Sequence, residues 1–185
     1  MPAWGWVLIA VAIVVVLAAV GWRAYTRRRT GQLQDRFGPE YDRTVDARRS
    51  RRKGEAELAE REKRRDQLDI RPLSQAARAR YIESWQAVQS QFVDDPHSAV
   101  DSADRLIRSV MEERGYPVDG FEQRAADVSV DHPHVVENYR EGHRLAQQSA
   151  AGTGTTEDLR QAMRHYRALF DELLETGAEE RLRVR

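Results

Sequence analysis

The fold is decided by the stretch Ser74–Gly115, which reads SQAARARYIESWQAVQSQFVDDPHSAVDSADRLIRSVMEERG. Apolar residues recur every three or four positions, which places them on one face of a helix; in the first helix this stripe is Tyr81, Trp85, Val88 and Phe92. Ser74 is a predicted N-cap, and Asp95 with Pro96 restarts the chain as the N-cap and first residue of a second helix. Gly115 is the predicted C-cap of that second helix. The stretch therefore predicts two amphipathic helices joined by a very short connection.

The helical periodicity continues through the rest of the chain. A short helix capped by Asp119 is followed by a helix over 134–150 and by a last helix with a capping box at Thr155. Gly177 is predicted to end the last helix, and no stretch alternates with period two. The predicted fold class is all-α, with residues 73–177 forming a bundle of four long helices and one short. Residues 178–185 are predicted to be a flexible tail.

Near the N-terminus, the nineteen residues of Trp4–Trp22 read WGWVLIAVAIVVVLAAVGW and carry no charge. A helix of this length spans about 28 Å, close to the hydrocarbon thickness of a bilayer. Tryptophan rings favour the headgroup region, so Trp4, Trp6 and Trp22 are predicted membrane-interface residues. The stretch therefore predicts a transmembrane helix over residues 4–22.

Four arginines follow this apolar stretch and predict its orientation: Arg23, Arg27, Arg28 and Arg29. Basic residues beside a span are retained on the cytoplasmic side, and they are the remaining predicted membrane-interface residues. A cleaved signal peptide is the alternative, but no basic residue precedes the apolar run and the run is long for that role. We therefore expect a single-pass protein of the cell membrane, with residues 1–3 outside and the C-terminal domain in the cytoplasm.

Charge divides the remaining chain into two parts. Residues 23–72 hold 16 Arg or Lys against 10 Asp or Glu, whereas residues 73–185 hold 14 against 20. The first part is predicted to be a charged helical stalk, attracted to anionic lipid headgroups. Its apolar residues are too sparse for a convincing coiled-coil seam, so a solvated helical spacer is the preferred interpretation. A homo-oligomer formed through the stalk remains the alternative.

Few classes of enzyme fit the sequence. The chain has no cysteine, which excludes disulfides, zinc–thiolate sites and thiol nucleophiles. No glycine-rich phosphate loop follows a strand pattern, and no GxSxG or Walker motif occurs. No cofactor is therefore expected, and we predict a protein without catalytic machinery.

The histidines are the best candidates for chemistry. Asp131, His132 and His134 lie close together in sequence, and His143 or His165 could complete a divalent-metal site. A helix N-terminus disfavours a bound cation, and Asp131 has a simpler role as the N-cap of the fourth bundle helix. A membrane-bound metal-dependent enzyme that uses this segment is therefore the alternative function.

Charged clusters in the chain admit both structural and functional readings. Arg160, Arg164 and Arg167 form a basic ridge on the last helix, which we expect to be a salt-bridged surface and not a phosphate or nucleic-acid site. Asp104 is expected to pair with an arginine of another helix and not to act as a general base. The cluster that begins at Arg51 is expected to face lipid and not nucleic acid.

Several short blocks resemble a known family of uncharacterised single-pass membrane proteins that is common in actinobacteria. The blocks are Phe92-Val93-Asp94-Asp95-Pro96, Arg114-Gly115-Tyr116-Pro117, Ser129-Val130-Asp131-His132-Pro133 and Tyr139-Arg140. The resemblance implies the architecture above but no activity, cofactor or catalytic residue. We therefore interpret the chain as a membrane-anchored helical interaction or scaffold module that binds an unidentified protein partner.

Overall fold

The computed structural model describes the backbone of residues 3–183 and the side chains of residue 4 and residues 12–175. Every element in this part of the chain is an α-helix, and the described residues include no strand. The predicted all-α class is therefore confirmed. The chain divides into two compact units, Met1–Leu58 (unit 1) and Ala59–Arg185 (unit 2). The division falls inside the segment that the sequence predicted to be a stalk.

No helix among the described residues combines the length and the apolar character needed to cross a membrane. This finding contradicts the predicted transmembrane helix over residues 4–22. It also contradicts the predicted single-pass location in the cell membrane with a cytoplasmic C-terminal domain.

The predicted membrane-interface residues lie on the first helix. Trp4 and Trp22 are 66% and 72% exposed, and the side chain of Trp6 lies outside the described residues. The four arginines of the cluster are also exposed: Arg23, Arg27, Arg28 and Arg29.

Unit 1 is built from three helices: α1 (Ala3–Phe37), α2 (Pro39–Arg48) and the first half of α3 (Arg51–Arg65). The break between α1 and α2 falls at Gly38, whose φ is 46°, and Pro39 then fits the first helical position. Phe37 and Tyr41 on the two sides of the break are both buried. Unit 1 is therefore a folded helical unit over this region and not the solvated spacer that the sequence predicted.

One carboxylate holds the helices of unit 1 together. Glu55 on α3 accepts hydrogen bonds from Thr30 Oγ1 of α1 at 2.8 Å, Tyr41 OH of α2 at 2.9 Å and Arg51 Nε at 2.9 Å. Burial acts to raise the pKa of Glu55, but the three hydrogen bonds favour the charged form and hold that pKa below its ordinary value. Glu55 therefore connects all three helices of the unit.

Unit 2 continues with five helices. They are α4 (Gln75–Asp94), α5 (Pro96–Arg114), α6 (Phe121–Asp131), α7 (Val136–Ala150) and α8 (Thr156–Arg183). Three predicted caps form as expected: Ser74 accepts from Ala77 N at 3.0 Å, Asp95 accepts from Ser98 N at 3.1 Å, and Gly115 adopts φ 96°.

Helix α5 is the centre of unit 2, because it packs against α4, α7 and α8. Its apolar stripe, which includes Ala103, Ile107 and Val110, has no measurable exposure. The stripe belongs to a single apolar core to which α4 and α8 contribute Trp85 and Phe170. Each core side chain of this size gains about 1.5–3 kcal/mol from burial. The core therefore holds both α4 and α8 against α5.

Helices α7 and α8 approach closely at Gly142. A Cβ atom added to Gly142 would lie 3.0 Å from ring carbons of Tyr166 and 3.3 Å from the carbonyl oxygen of Ala162. Tyr166 is fully buried, so its ring has little room to move away. A residue without a side chain is therefore required for this helix contact.

The end of α5 is tied to the segment that precedes α4. Arg71 N donates to the carbonyl oxygen of Arg114 at 2.8 Å, and a Cβ atom at Gly115 would lie 2.3 Å from the carbonyl oxygen of Asp69. Gly115 therefore serves two purposes, since its positive φ ends α5 and its missing side chain admits another backbone.

Three predicted helix ends differ from the structure. Asp119 was expected to cap the short helix, but the N-cap of α6 is Gly120, which provides no side-chain cap hydrogen bond. Asp131 was expected to cap the fourth bundle helix, but it is the last residue of α6, and Val135 precedes the first residue of α7. Gly177 was expected to end the last helix, but α8 continues to Arg183, since a glycine inside a helix costs only about 1 kcal/mol. The predicted tail over 178–185 lies outside the residues whose side chains are described.

Candidate functional site

The structure does not bring the candidate metal ligands together. His132 Nδ1 lies 3.2 Å from Glu172 Oε1, and His165 Nδ1 lies 2.8 Å from Asn138 Oδ1. His143 stacks on the ring of Phe121, with centroids 3.7 Å apart. Among the described residues, no group of three or more His, Asp or Glu side chains is placed to hold a metal ion.

Asp131 has a structural role that the sequence did not predict. Its carboxylate accepts from Arg65 Nε at 2.8 and 2.9 Å and from Tyr116 OH at 2.7 Å. Arg65 belongs to α3, so the ion pair ties the second half of α3 to the end of α6 within unit 2. Burial beside this carboxylate raises the pKa of Tyr116 far above its ordinary value. The group acts as a clamp between elements of the unit.

Two other titratable groups near this clamp are buried. Asp127 and His132 are only 1% and 3% exposed. Burial raises the pKa of Asp127 and lowers the pKa of His132, since a charge in either place lacks full hydration. His134, two residues further on, is exposed. The Asp131–His134 segment is therefore a buried structural network with one exposed histidine beside it.

Unit 2 also contains an accessible groove between two of its helices. We call the α4–α8 groove the pair of pockets, about 320 and 270 Å³, that lie between α4 and α8 and share Trp85, Gln89 and Arg167. On α4 the groove extends from Arg78 to Phe92, which is about 21 Å at 1.5 Å per residue. That length matches about four turns of a bound helix.

Aromatic residues form the floor of the α4–α8 groove. Trp85 stacks on Phe170 with ring centroids 4.7 Å apart and planes at 24°, and the guanidinium of Arg167 lies 5.7 Å from the Trp85 ring centroid. Although Trp85 is 98% buried by the residues around it, its indole Nε1 has no acceptor among the described residues. A buried donor without an acceptor costs about 1–3 kcal/mol.

The rim of the groove on α8 is basic. The predicted salt-bridged ridge is present in part, because Arg160 pairs with Glu157 and Arg167 pairs with Asp171. Arg164, between them, is exposed and makes no hydrogen bond or ion pair within the described part of the chain. One cation on this rim is therefore available for a partner.

Sequence reasoning found the parts of this site but not the site. Trp85 and Phe92 were placed on the apolar stripe of the first bundle helix, and the arginines were placed on a separate surface. The available signal was Ile82, an apolar residue off the stripe, which is 41% exposed and lines the groove. An exposed apolar residue beside an aromatic stripe is typical of a binding surface. The distance between α4 and α8 cannot be read from the sequence.

Asp104 also differs from its prediction. It pairs with Arg108 of the same helix at 3.0 Å, four residues further along α5, and not with an arginine of another helix. The Asp104 side chain is partly buried, whereas that of Arg108 is 41% exposed.

No protein-family model, no curated protein and no solved structure matches the chain. The resemblance to a family of single-pass bacterial proteins therefore stays a prediction, and the function has to be argued from the α4–α8 groove.

Proposed function

We propose that the protein is a helical interaction module whose unit 2 binds an acidic amphipathic helix of another protein in the α4–α8 groove. The observation that carries the proposal is the accessible groove between α4 and α8, which has the exposed Ile82 in its lining and the unpaired Arg164 at its rim. Amphipathic helices commonly bind by laying an apolar face into such a groove. Aromatic and arginine side chains are also the residues most often responsible for binding energy at protein interfaces.

The chemistry of the occupant follows from the lining of the groove. Phe92, Met163 and Trp85 offer an apolar surface for the buried face of a helix. Arg164 offers an unpaired positive charge at the rim, so a carboxylate is its natural partner. An apolar helix face flanked by acidic residues satisfies both requirements.

The proposal is tested with synthetic four-turn helical peptides that carry a fluorescent label. The panel contains leucine/glutamate amphipathic peptides, sequence-scrambled versions of them, and leucine/lysine peptides of opposite charge. We expect the full chain to bind acidic amphipathic members and to discriminate against the other two classes. Arg164→Glu and Ile82→Asp should each weaken binding by about tenfold or more.

Matched variants serve as controls. Arg105→Glu changes an exposed arginine on α5, and Val93→Asp changes an exposed apolar residue on α4, but neither residue lines the groove. Both controls should bind within twofold of the parent chain. Equal binding of scrambled peptides, or no binding by any member of the panel, contradicts the proposal. A dimer in sedimentation that Arg164→Glu dissociates would also contradict it, since a second copy would then be the occupant.

A further inference from the structure

Unit 1 contains a second accessible site, which the groove in unit 2 does not involve. A cleft of about 940 Å³ lies between the C-terminal part of α1 and the beginning of α3. Both walls are basic, because α1 contributes Arg23 and Arg27 and α3 contributes Arg51 and Arg52. We call this feature the basic cleft.

The α1 wall is fixed in position by a hydrogen bond. Arg23, Arg27 and Thr30 are spaced at i, i+4 and i+7, so they share one face of α1. Thr30 is buried and donates to Glu55 of α3 at 2.8 Å. The arginine face of α1 is therefore held toward α3.

The α3 wall has an unfavourable charge arrangement of its own. Arg51 and Arg52 lie in the first turn of α3, and no acidic residue lies in that turn. The N-terminal end of a helix carries partial positive charge, so cations there are disfavoured and anions are favoured. An anion between the two walls would remove this disadvantage.

The cleft also lacks the acids that would neutralise it. Glu55 is the one acidic residue among those described that line the cleft, and it already accepts three hydrogen bonds. The guanidinium groups of Arg23, Arg27, Arg29 and Arg52 make no hydrogen bond or ion pair within the described part of the chain. Four cations therefore line one cleft without counter-charges.

We propose that the basic cleft binds a ligand that carries phosphate groups. Guanidinium groups form paired hydrogen bonds to phosphate oxygens, and a multiply charged anion satisfies several arginines at once. The cleft is also large enough for a ligand with more than one phosphate group. The shared chemistry is the phosphate group, whether on a soluble molecule or on a lipid headgroup. This binding is independent of the groove in unit 2.

The test uses two charge-matched double variants of the full chain. Arg27→Gln with Arg52→Gln removes one cation from each wall of the cleft. Arg28→Gln with Lys53→Gln removes the adjacent exposed cations, which do not line the cleft. Pyrophosphate binding is measured by calorimetry. We expect the first variant to bind about tenfold or more weakly than the parent chain, while the second stays within twofold.

A second arm identifies the source of the phosphate. Vesicles of phosphatidylglycerol with phosphatidylcholine are compared with vesicles of phosphatidylcholine alone. Vesicle binding that depends on Arg27 and Arg52, without pyrophosphate binding, assigns the cleft to headgroups, and the reverse result assigns it to soluble phosphates. Equal losses for both double variants in both arms indicate general electrostatics and overturn the proposal. Absence of binding in both arms also overturns it.

Folding of the variants is checked independently. All four substituted residues are exposed, and the structure gives their side chains no hydrogen bond or ion pair among the described residues. Circular dichroism and hydrogen exchange of α2 and α3 should therefore match the parent chain for both variants. The Arg164→Glu variant provides a further control, since it should bind pyrophosphate as the parent chain does.

Discussion

Each of the two units contains one carboxylate that joins several of its elements, but the surroundings of the two carboxylates differ. In unit 1, Glu55 accepts from Thr30, Tyr41 and Arg51. In unit 2, Asp131 accepts from Tyr116 and Arg65. We call these groups the Glu55 clamp and the Asp131 clamp. Both combine a tyrosine hydroxyl with an arginine, so the local chemistry is nearly the same.

The difference lies in what supports each clamp. The Asp131 clamp lies in a unit with a continuous apolar core that spans α4 to α8. In unit 1 the buried side chains include the polar residues Thr30, Glu40 and Thr44 beside a few apolar ones. Apolar burial is the dominant stabilising contribution in folding. Unit 1 should therefore depend more on its clamp, and unit 2 more on close packing.

The largest expected effect tests the packing of unit 2. Gly115→Ala should destabilise unit 2 by about 3 kcal/mol, because a side chain is strained at φ 96° and its Cβ would meet the Asp69 carbonyl oxygen. The measurement is hydrogen exchange of α4 and α5 in the full chain. Gly120→Ala is the control, since a Cβ there meets nothing within 4 Å. Equal losses for the two variants would show that the close approach at Gly115 is unimportant.

The second prediction, of intermediate size, compares the stability that the two clamps contribute. Asp131→Asn should cost about 2 kcal/mol and Glu55→Gln about 1 kcal/mol, because Arg65 is largely buried whereas Arg51 is 60% exposed. Hydrogen exchange is followed separately in α2 and in α6. Each substitution should increase the hydrogen-exchange rate in its own unit. The exchange rate in the other unit should stay unchanged within experimental error. If Glu55→Gln also weakened α5 and α8, the division into two units would be incorrect.

The smallest expected effect is a difference in acid sensitivity. The lowered pKa of His132 means that the unfolded chain takes up a proton first, so unit 2 loses stability as pH falls below about 6.5. His143 acts in the same direction. In unit 1 the lowered pKa of Glu55 preserves stability until the pH falls below about 4.5. Unit 2 should therefore weaken first on acidification.

Exchange rates corrected for intrinsic pH dependence provide the measurement. In the His132→Gln variant, the protection of α7 and α8 against hydrogen exchange should fall less steeply between about pH 6.5 and 5 than in the parent chain. The raised pKa of Asp127 acts with the opposite sign at lower pH, since the folded chain then takes up a proton first. A slope that is unchanged in the His132→Gln variant would remove His132 as its cause.

Several features that depend on neighbouring residues were predictable from the sequence, although the helix ends predicted at Asp119 and Gly177 were wrong. The caps at Ser74, Asp95 and Gly115 formed where expected, and Thr155 forms reciprocal hydrogen bonds with Asp158. These contacts span three residues or fewer, so the sequence contains all of their partners. The all-α class follows from the same local patterns.

Features that depend on distant residues were not predictable. Asp131 was assigned to the helix that follows it, but its partner Arg65 lies 66 positions earlier in the chain. The α4–α8 groove likewise requires the spacing of two helices that are fixed through α5. The membrane prediction relied on one segment, Trp4–Trp22, and no helix among the described residues is long and apolar enough to cross a membrane.

The close contact of α7 and α8 has a consequence for sequence divergence. The space that a side chain at Gly142 would need is occupied by the ring of Tyr166, 24 positions later. The two positions should therefore vary as a coupled pair among related chains. Chains with alanine or serine at the position of Gly142 should carry a smaller residue than tyrosine at the position of Tyr166. Such paired changes would mark chains in which these two helices keep the same separation.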